Sequence, residues 1–141
     1  APNLLSNIKT NNKVLNVVGS IFAQENNYQN CLILNTNRNV IEALNGNVFL
    51  LKDGIVKTPP LSDGCLKGVL REQVIKIISD LDYYTIQEAT ISPFELQKAD
   101  AIFITNVIQG IISVTNYRKK TYSDDLAREL INLLNTKIRI P

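Results

Sequence analysis

The sequence predicts an α+β domain, a set of mixed strands with helices at its periphery. Short runs rich in Val, Ile, Leu and Phe recur between turns containing Asn, Gly and Pro, and longer stretches repeat apolar residues at helical spacing. No repeat or linker divides the 141 residues, a length that fits one domain able to bury a real core.

Taken in order, "NLLSNIKT" reads as a short strand that leads into a helix. That helix, in "NNKVLNVVGSIFAQENN", sets Val14, Leu15, Val17, Val18, Ile21 and Phe22 on an apolar face, with Asn11 or Asn12 as N-cap. "CLILNT" and "NVIEAL" are strands around a polar turn from Asn35 to Asn39. "NVFLLKDGIVKT" is a hairpin by its Asp53-Gly54 pair, and Pro59-Pro60 then forbids both helix and central strand. After Gly68, "GVLREQVIKIISDL" places Val69, Leu70, Val74, Ile77 and Ile78 on one side of a helix. "YYTIQEATI" alternates as a strand. "SPFELQKA" opens a helix with Ser92 as N-cap, Pro93 at the first helical position and Glu95 as capping-box partner. "AIFITNV" and "GIISVTNY" are two further strands, and "SDDLARELINLLNTK" is a final amphipathic helix with acids at its start.

Composition narrows the function. With 45% hydrophobic and 20% charged residues the chain is an ordinary globular one. A net charge of +2 with scattered basic residues leaves no nucleic-acid footprint, and the run Arg118-Lys119-Lys120 suits a solvated turn. Cys31 and Cys65 lie far apart without metal-ligand spacing, which predicts a reduced, cytoplasmic protein and no metal site. No stretch approaches the ~20 apolar residues of a membrane span, and no signal peptide is visible. The chain has no histidine, so His-based triads are excluded and Lys, Glu, Asp, Tyr and Cys are left for any chemistry. Methionine is absent even at position 1, so the chain reads as a fragment or a trimmed piece.

Several residues are candidates for chemistry, each with an ordinary alternative. Lys9, at the end of an apolar strand, can point its amine inward or lie on the surface. Glu42, between Ile41 and Ala43, can serve a site or face solvent from its strand. The glycine-punctuated "GCLKGVLRE" opens an apolar helix, and its unpaired amides and dipole suit a phosphate; many helices begin after glycine without any ligand. "ITNVIQG" turns at polar residues that can touch an anion or merely form the turn.

The ordered set "IKTNN … VIEALNGNVF … TPPLSDGCLKGVLR … ADAIFITNVIQGI" closely resembles the C-terminal half of class IV aminotransferases, from about Leu4 to Leu134. This pyridoxal-phosphate family of fold type IV includes branched-chain aminotransferase, D-amino-acid aminotransferase and aminodeoxychorismate lyase. The resemblance implies the C-terminal domain of the D-amino-acid-aminotransferase-like fold, a mixed-strand pseudo-barrel sheet with flanking helices, over residues 1–141. It implies that Lys9 carries pyridoxal 5'-phosphate as a Schiff base and later moves the substrate proton. By the same resemblance Glu42 faces the pyridine nitrogen, Asn47 has a supporting role, and the amides of Val69 and Leu70, after Gly68, hold the phosphate.

The sequence departs from the family in places. Val107 stands where aminotransferases present a threonine hydroxyl to the phosphate, and Thr105 and Asn106 lie beside it as substitutes. Lys13 is near the position of a tyrosine that branched-chain enzymes have. The N-terminal domain, which in the family supplies an arginine and much of the substrate pocket, is absent from this chain. "FITNVIQGIISV" looks more like the Thr-Asn-x-Ile segment of aminodeoxychorismate lyases than the Ser-Gly-Thr segment of branched-chain enzymes. The expected reaction is therefore lyase-like, with an amino-acid aminotransferase as the alternative and a catalytically inactive domain as a third reading. The implied partners are a small amino-acid-like substrate, the missing domain and a second subunit in a homodimer, with no nucleic acid and no membrane.

Overall fold

Two apolar runs, at residues 48–51 and 101–104, are continuous rather than alternating, the pattern of strands covered on both faces. In the computed structural model, which describes residues 14–139, they lie side by side at the centre of the sheet. The elements run α1 (Val14–Glu25), β1 (Leu32–Leu34), β2 (Val40–Ala43), β3 (Asn47–Lys52), β4 (Ile55–Thr58), α2 (Val69–Ser79) and β5 (Thr85–Glu88). They continue with α3 (Pro93–Lys98), β6 (Ala101–Asn106), β7 (Gly110–Ser113), β8 (Asn116–Tyr117), β9 (Lys120–Thr121) and α4 (Asp125–Arg139).

The main sheet has the order β5-β4-β3-β6-β7. Its pairs are antiparallel except β4 with β5, which are parallel and joined through α2, the crossover that a parallel pair requires. Side chains alternate between faces, so the register decides which core each strand feeds. Phe49 lies opposite Phe103, and their rings stack with centroids 4.8 Å apart. With Val56 and Ile111 they meet Val74, Ile77 and Ile78 of α2 and Leu126 and Leu130 of α4. The opposite face carries Val48, Leu50 and Ile102 against Val40 of β2, Ile91 and Leu96 of α3. Asn47 shares the Phe49 face by alternation, which puts its amide under α2 rather than under α3.

Most local expectations hold. Asp53 and Gly54 both adopt positive φ, +51° and +79°, as a two-residue hairpin turn requires. The Ser92 amide donates to Glu95 at 2.7 Å in the expected capping box. The basic run sits at an exposed turn between β8 and β9, with Lys120 in β9 half-buried.

Two expectations need correction, and one short element is new. "GIISVTNY" is not one strand: the chain leaves β7 after Ser113, and residues 116–117 pair with β9 instead. Ile21 and Phe22 of α1, placed on its apolar face, are about half exposed, while Ala23 is buried. Pro59-Pro60 is followed by a short 3-10 turn, Leu61–Asp63, that the pattern did not announce. The strand and N-cap expected before Val14 lie outside the described residues. No described helix is long and apolar enough to cross a membrane.

One close approach locks the β2–β3 turn to β6. A Cβ on Gly46 would sit 2.3 Å from the Thr105 carbonyl oxygen and 2.6 Å from Ile104 Cγ2. The first of these is backbone in the central sheet and cannot step aside cheaply. Gly46→Ala should lower stability by about 1–3 kcal/mol, the usual cost of overpacking. Urea unfolding should show a lower midpoint with an unchanged slope; an unchanged midpoint would mean that the turn is not pinned there.

Candidate cofactor site

Glu42 sits on β2 opposite buried Ile33, and the pleat turns its carboxylate toward the loop that precedes α2. There Oε1 accepts a hydrogen bond from the Leu66 amide at 2.9 Å. Burial raises the carboxyl above its ordinary value, and the Leu66 hydrogen bond offsets only part of that. Among the described residues no lysine or arginine forms a salt bridge with it. A half-buried carboxylate with one neutral donor is an incomplete arrangement, and a cation brought to it would restore its charge.

The same residue, Leu66, is held from its other side. Asn47 Nδ2 donates to the Leu66 carbonyl at 2.8 Å, so Glu42 and Asn47 together fix both backbone polar groups of one residue. Two residues on, Gly68 lies so close to Asn47 that a Cβ there would be 2.4 Å from Oδ1. Gly68 has φ −68° and ψ 141°, angles that other residues adopt freely. Its need for glycine is therefore close packing, not backbone conformation.

Gly68 is the N-cap of α2 and offers no side chain to cap it. The first-turn amides of Val69 and Leu70 follow, at the positive end of an 11-residue helix. The side chain of Val69 is 70% exposed, which corrects its assignment to the core face; Val74, Ile77 and Ile78 are buried as expected. Beside this helix start, a cavity of about 360 Å³ is lined by Val69 and Leu70, by Val107 and Gln109 from the β6–β7 turn, and by Ile131 and Leu134 from α4. Glu42 does not line it, so the cavity flanks the helix start on the α4 side.

The β6–β7 turn gives each candidate residue a different position. Asn106 Oδ1 accepts from the amides of Ile108 and Gln109 at 2.8 and 3.1 Å, and its Nδ2 donates to the Asn45 carbonyl. Its side chain is thus engaged in building the turn and in tying it to the β2–β3 turn. Thr105, opposite Asn47 across β3 and β6, is buried, and its hydroxyl has no partner among the described residues. Val107 projects an exposed apolar side chain beside the helix start. Lys9 lies outside the described residues.

Arg71 was missed by the sequence reading. It is fully buried, and its guanidinium donates to the Pro59 carbonyl at 3.0 Å, to Glu88 at 2.7 Å and to Glu72 at 3.0 Å. The signal was there: residues 71, 74 and 78 share one helical face, so an arginine stood in an apolar stripe.

The arrangement offers a carboxylate that a cation would neutralise and, separately, helix-start amides that suit an anion. Glu42 provides the first and the uncapped start of α2 the second, both fastened to the Leu66–Gly68 segment. The family model "Amino-transferase class IV" matches residues 1–117, and the chain belongs to this family, whose members work with pyridoxal phosphate.

Among its relatives is a Thermotoga maritima protein named "Probable branched-chain-amino-acid aminotransferase", 33% identical over 94 residues, which cover 67% of this chain and 34% of that protein. Among solved structures, "Putative 4-amino-4-deoxychorismate lyase" from Legionella pneumophila is 29% identical with a TM-score of 0.86, covering 95% of this chain and 50% of that one. The branched-chain amino acid aminotransferase from Escherichia coli, at 23% identity and a TM-score of 0.87, shares the fold over 96% of this chain and 48% of its own. The chain thus spans half or less of the length of these relatives.

Glu42→Gln removes the charge yet keeps an oxygen for the Leu66 amide. Without cofactor, the native carboxyl binds its proton more tightly than the unfolded chain does. Wild-type stability therefore falls as pH rises from the ordinary value of 4.5 through the raised native one. Cofactor-free Glu42→Gln should match or exceed wild-type stability at pH 7–8 and lack this decline. Denaturant titrations across pH 4–8 check it; a variant much less stable than wild type at pH 8 would contradict the assigned electrostatics.

Proposed function

We propose that this chain is the C-terminal, cofactor-lysine-bearing domain of a pyridoxal-phosphate enzyme that converts 4-amino-4-deoxychorismate to 4-aminobenzoate and pyruvate. The carrying observation is the end of β6 with the turn that follows it. Its Thr105-Asn106-Val107-Ile108 sequence joins the β2–β3 turn through Asn106 and presents apolar Val107 where a hydroxyl serves transaminases. The likeness to the Legionella protein, over 95% of this chain, supports the same reading.

The cofactor, when bound, supplies an electron sink that accepts the charge developing at the substrate carbon next to the amine. The residues of this chain do the rest. Lys9 carries the cofactor and takes the proton from that carbon. Loss of the proton lets the neighbouring C–O bond break; the departing enolpyruvate gains a proton to become pyruvate, and the ring left behind is aromatic. Glu42 keeps a positive charge on the ring nitrogen, which its unneutralised, half-buried carboxylate is suited to do. The amides of Val69 and Leu70 hold the phosphate and fix the ring's direction. An N-terminal domain forms the second wall of the site, and two such chains form a homodimer.

A second reading is favoured by the branched-chain aminotransferase named for the Thermotoga relative. There Lys9 would return the proton to the cofactor side and a keto acid would be released. The native-length protein, supplied with aminodeoxychorismate and no keto acid, should release pyruvate and 4-aminobenzoate in equal amounts. Rapid amino transfer between leucine or valine and 2-oxoglutarate, with no 4-aminobenzoate formed, would establish the second reading instead.

A further inference from the structure

Arg71 ranks first by volume among the fully buried side chains described, and that placement is costly. A guanidinium removed from water needs several good partners, and an apolar residue at this stripe position would pack beside Val74 and Ile78 at less expense of solvation. Its partners explain the choice. Pro59 belongs to the segment leading out of β4, whose preceding Thr58 hydroxyl is bonded to the Val48 carbonyl at 2.8 Å. Glu88 closes β5, the strand that follows α2. Glu72 is the acid of the helix's own first turn. One planar fork thus ties the entry to α2, its first turn and the strand after it. Arg71 is itself the third residue of α2, directly after Val69 and Leu70. The two Nη atoms make all these bonds, and Nε has no acceptor among the described residues.

We infer that Arg71 is a positioning residue for the phosphate end of the cofactor site. It fixes the first turn of α2 so that the Val69 and Leu70 amides keep one direction, and it pairs the Glu72 carboxylate that would otherwise oppose an anion there. The inference rests on the reading of this helix start as the phosphate cradle. Lysine cannot replace the fork, because a single ammonium does not reproduce the planar pair in which one Nη holds the Pro59 carbonyl and Glu88 while the other holds Glu72.

The test compares pyridoxal 5'-phosphate with pyridoxal, which lacks the phosphate, by equilibrium dialysis against the native-length protein. Wild type should bind the phosphorylated form more tightly. Arg71→Lys and Arg71→Met should reduce that preference by about tenfold or more, the scale of a lost charge-assisted contact, while affinity for pyridoxal changes little. Should Arg71→Met not fold, Glu88→Gln serves beside Arg71→Lys: it removes the charged 2.7 Å partner at a half-exposed position and should cut the preference by a smaller factor. Equal losses for the two compounds, or an unchanged preference in the folded variants, would overturn the role of Arg71 alone. A wild-type protein with no preference for the phosphate would overturn the cradle reading and this inference with it.

Discussion

Leu66 is held by both of its backbone polar groups, its amide by Glu42 and its carbonyl by Asn47. The geometry of the site follows from that double grip. Glu42 comes from the small β1–β2 sheet and Asn47 from the first residue of the central strand, so one loop residue joins two sheets. The grip also sets where α2 begins, because Gly68 must pass within contact of the Asn47 amide. Neither bond is strong alone, at ~1 kcal/mol net for a neutral pair and somewhat more for the carboxylate. Their effect is positional: they aim the dipole of α2 relative to the Glu42 carboxylate, by fixing Leu66 two residues before the helix cap.

The electrostatics are uneven by design of the fold. Arg71 is a buried cation with carboxylates and a carbonyl close by, whereas Glu42 is a half-buried anion with only a backbone amide among the described residues. The first arrangement has its charge paired on both Nη atoms and stiffens the helix start. The second has no cation beside it among the described residues, and its raised proton affinity records the cost of burying the carboxylate. A site that binds a cationic ring nitrogen gains from meeting a carboxylate in that condition, because the ligand supplies the missing charge.

Much of this was legible in the residues. The Asp53-Gly54 turn, the Ser92/Glu95 capping box and the amphipathic last helix are local signals, and local physics decides them. The start of α2 at Gly68 and the strand position of Glu42 were also readable, because glycine punctuation and β-branched runs need no tertiary context. What escaped depends on long-range contacts. Asn47 was given a supporting role without its partner, since the Leu66 carbonyl is 19 residues away. Val69 was placed on the core face because periodicity cannot know that this first-turn position of α2 stays exposed. Arg71 was passed over because a charge is read as solvated by default, although its spacing from Val74 and Ile78 put it inside.

The central claim is that Glu42 and the start of α2 serve opposite ends of one cofactor. A crystal structure of the native-length protein with pyridoxal 5'-phosphate tests it most directly. The account predicts the ring nitrogen within hydrogen-bond distance of the Glu42 carboxylate, and phosphate oxygens on the Val69 and Leu70 amides. A ring nitrogen facing away from Glu42, or a phosphate held elsewhere in the protein, would contradict it.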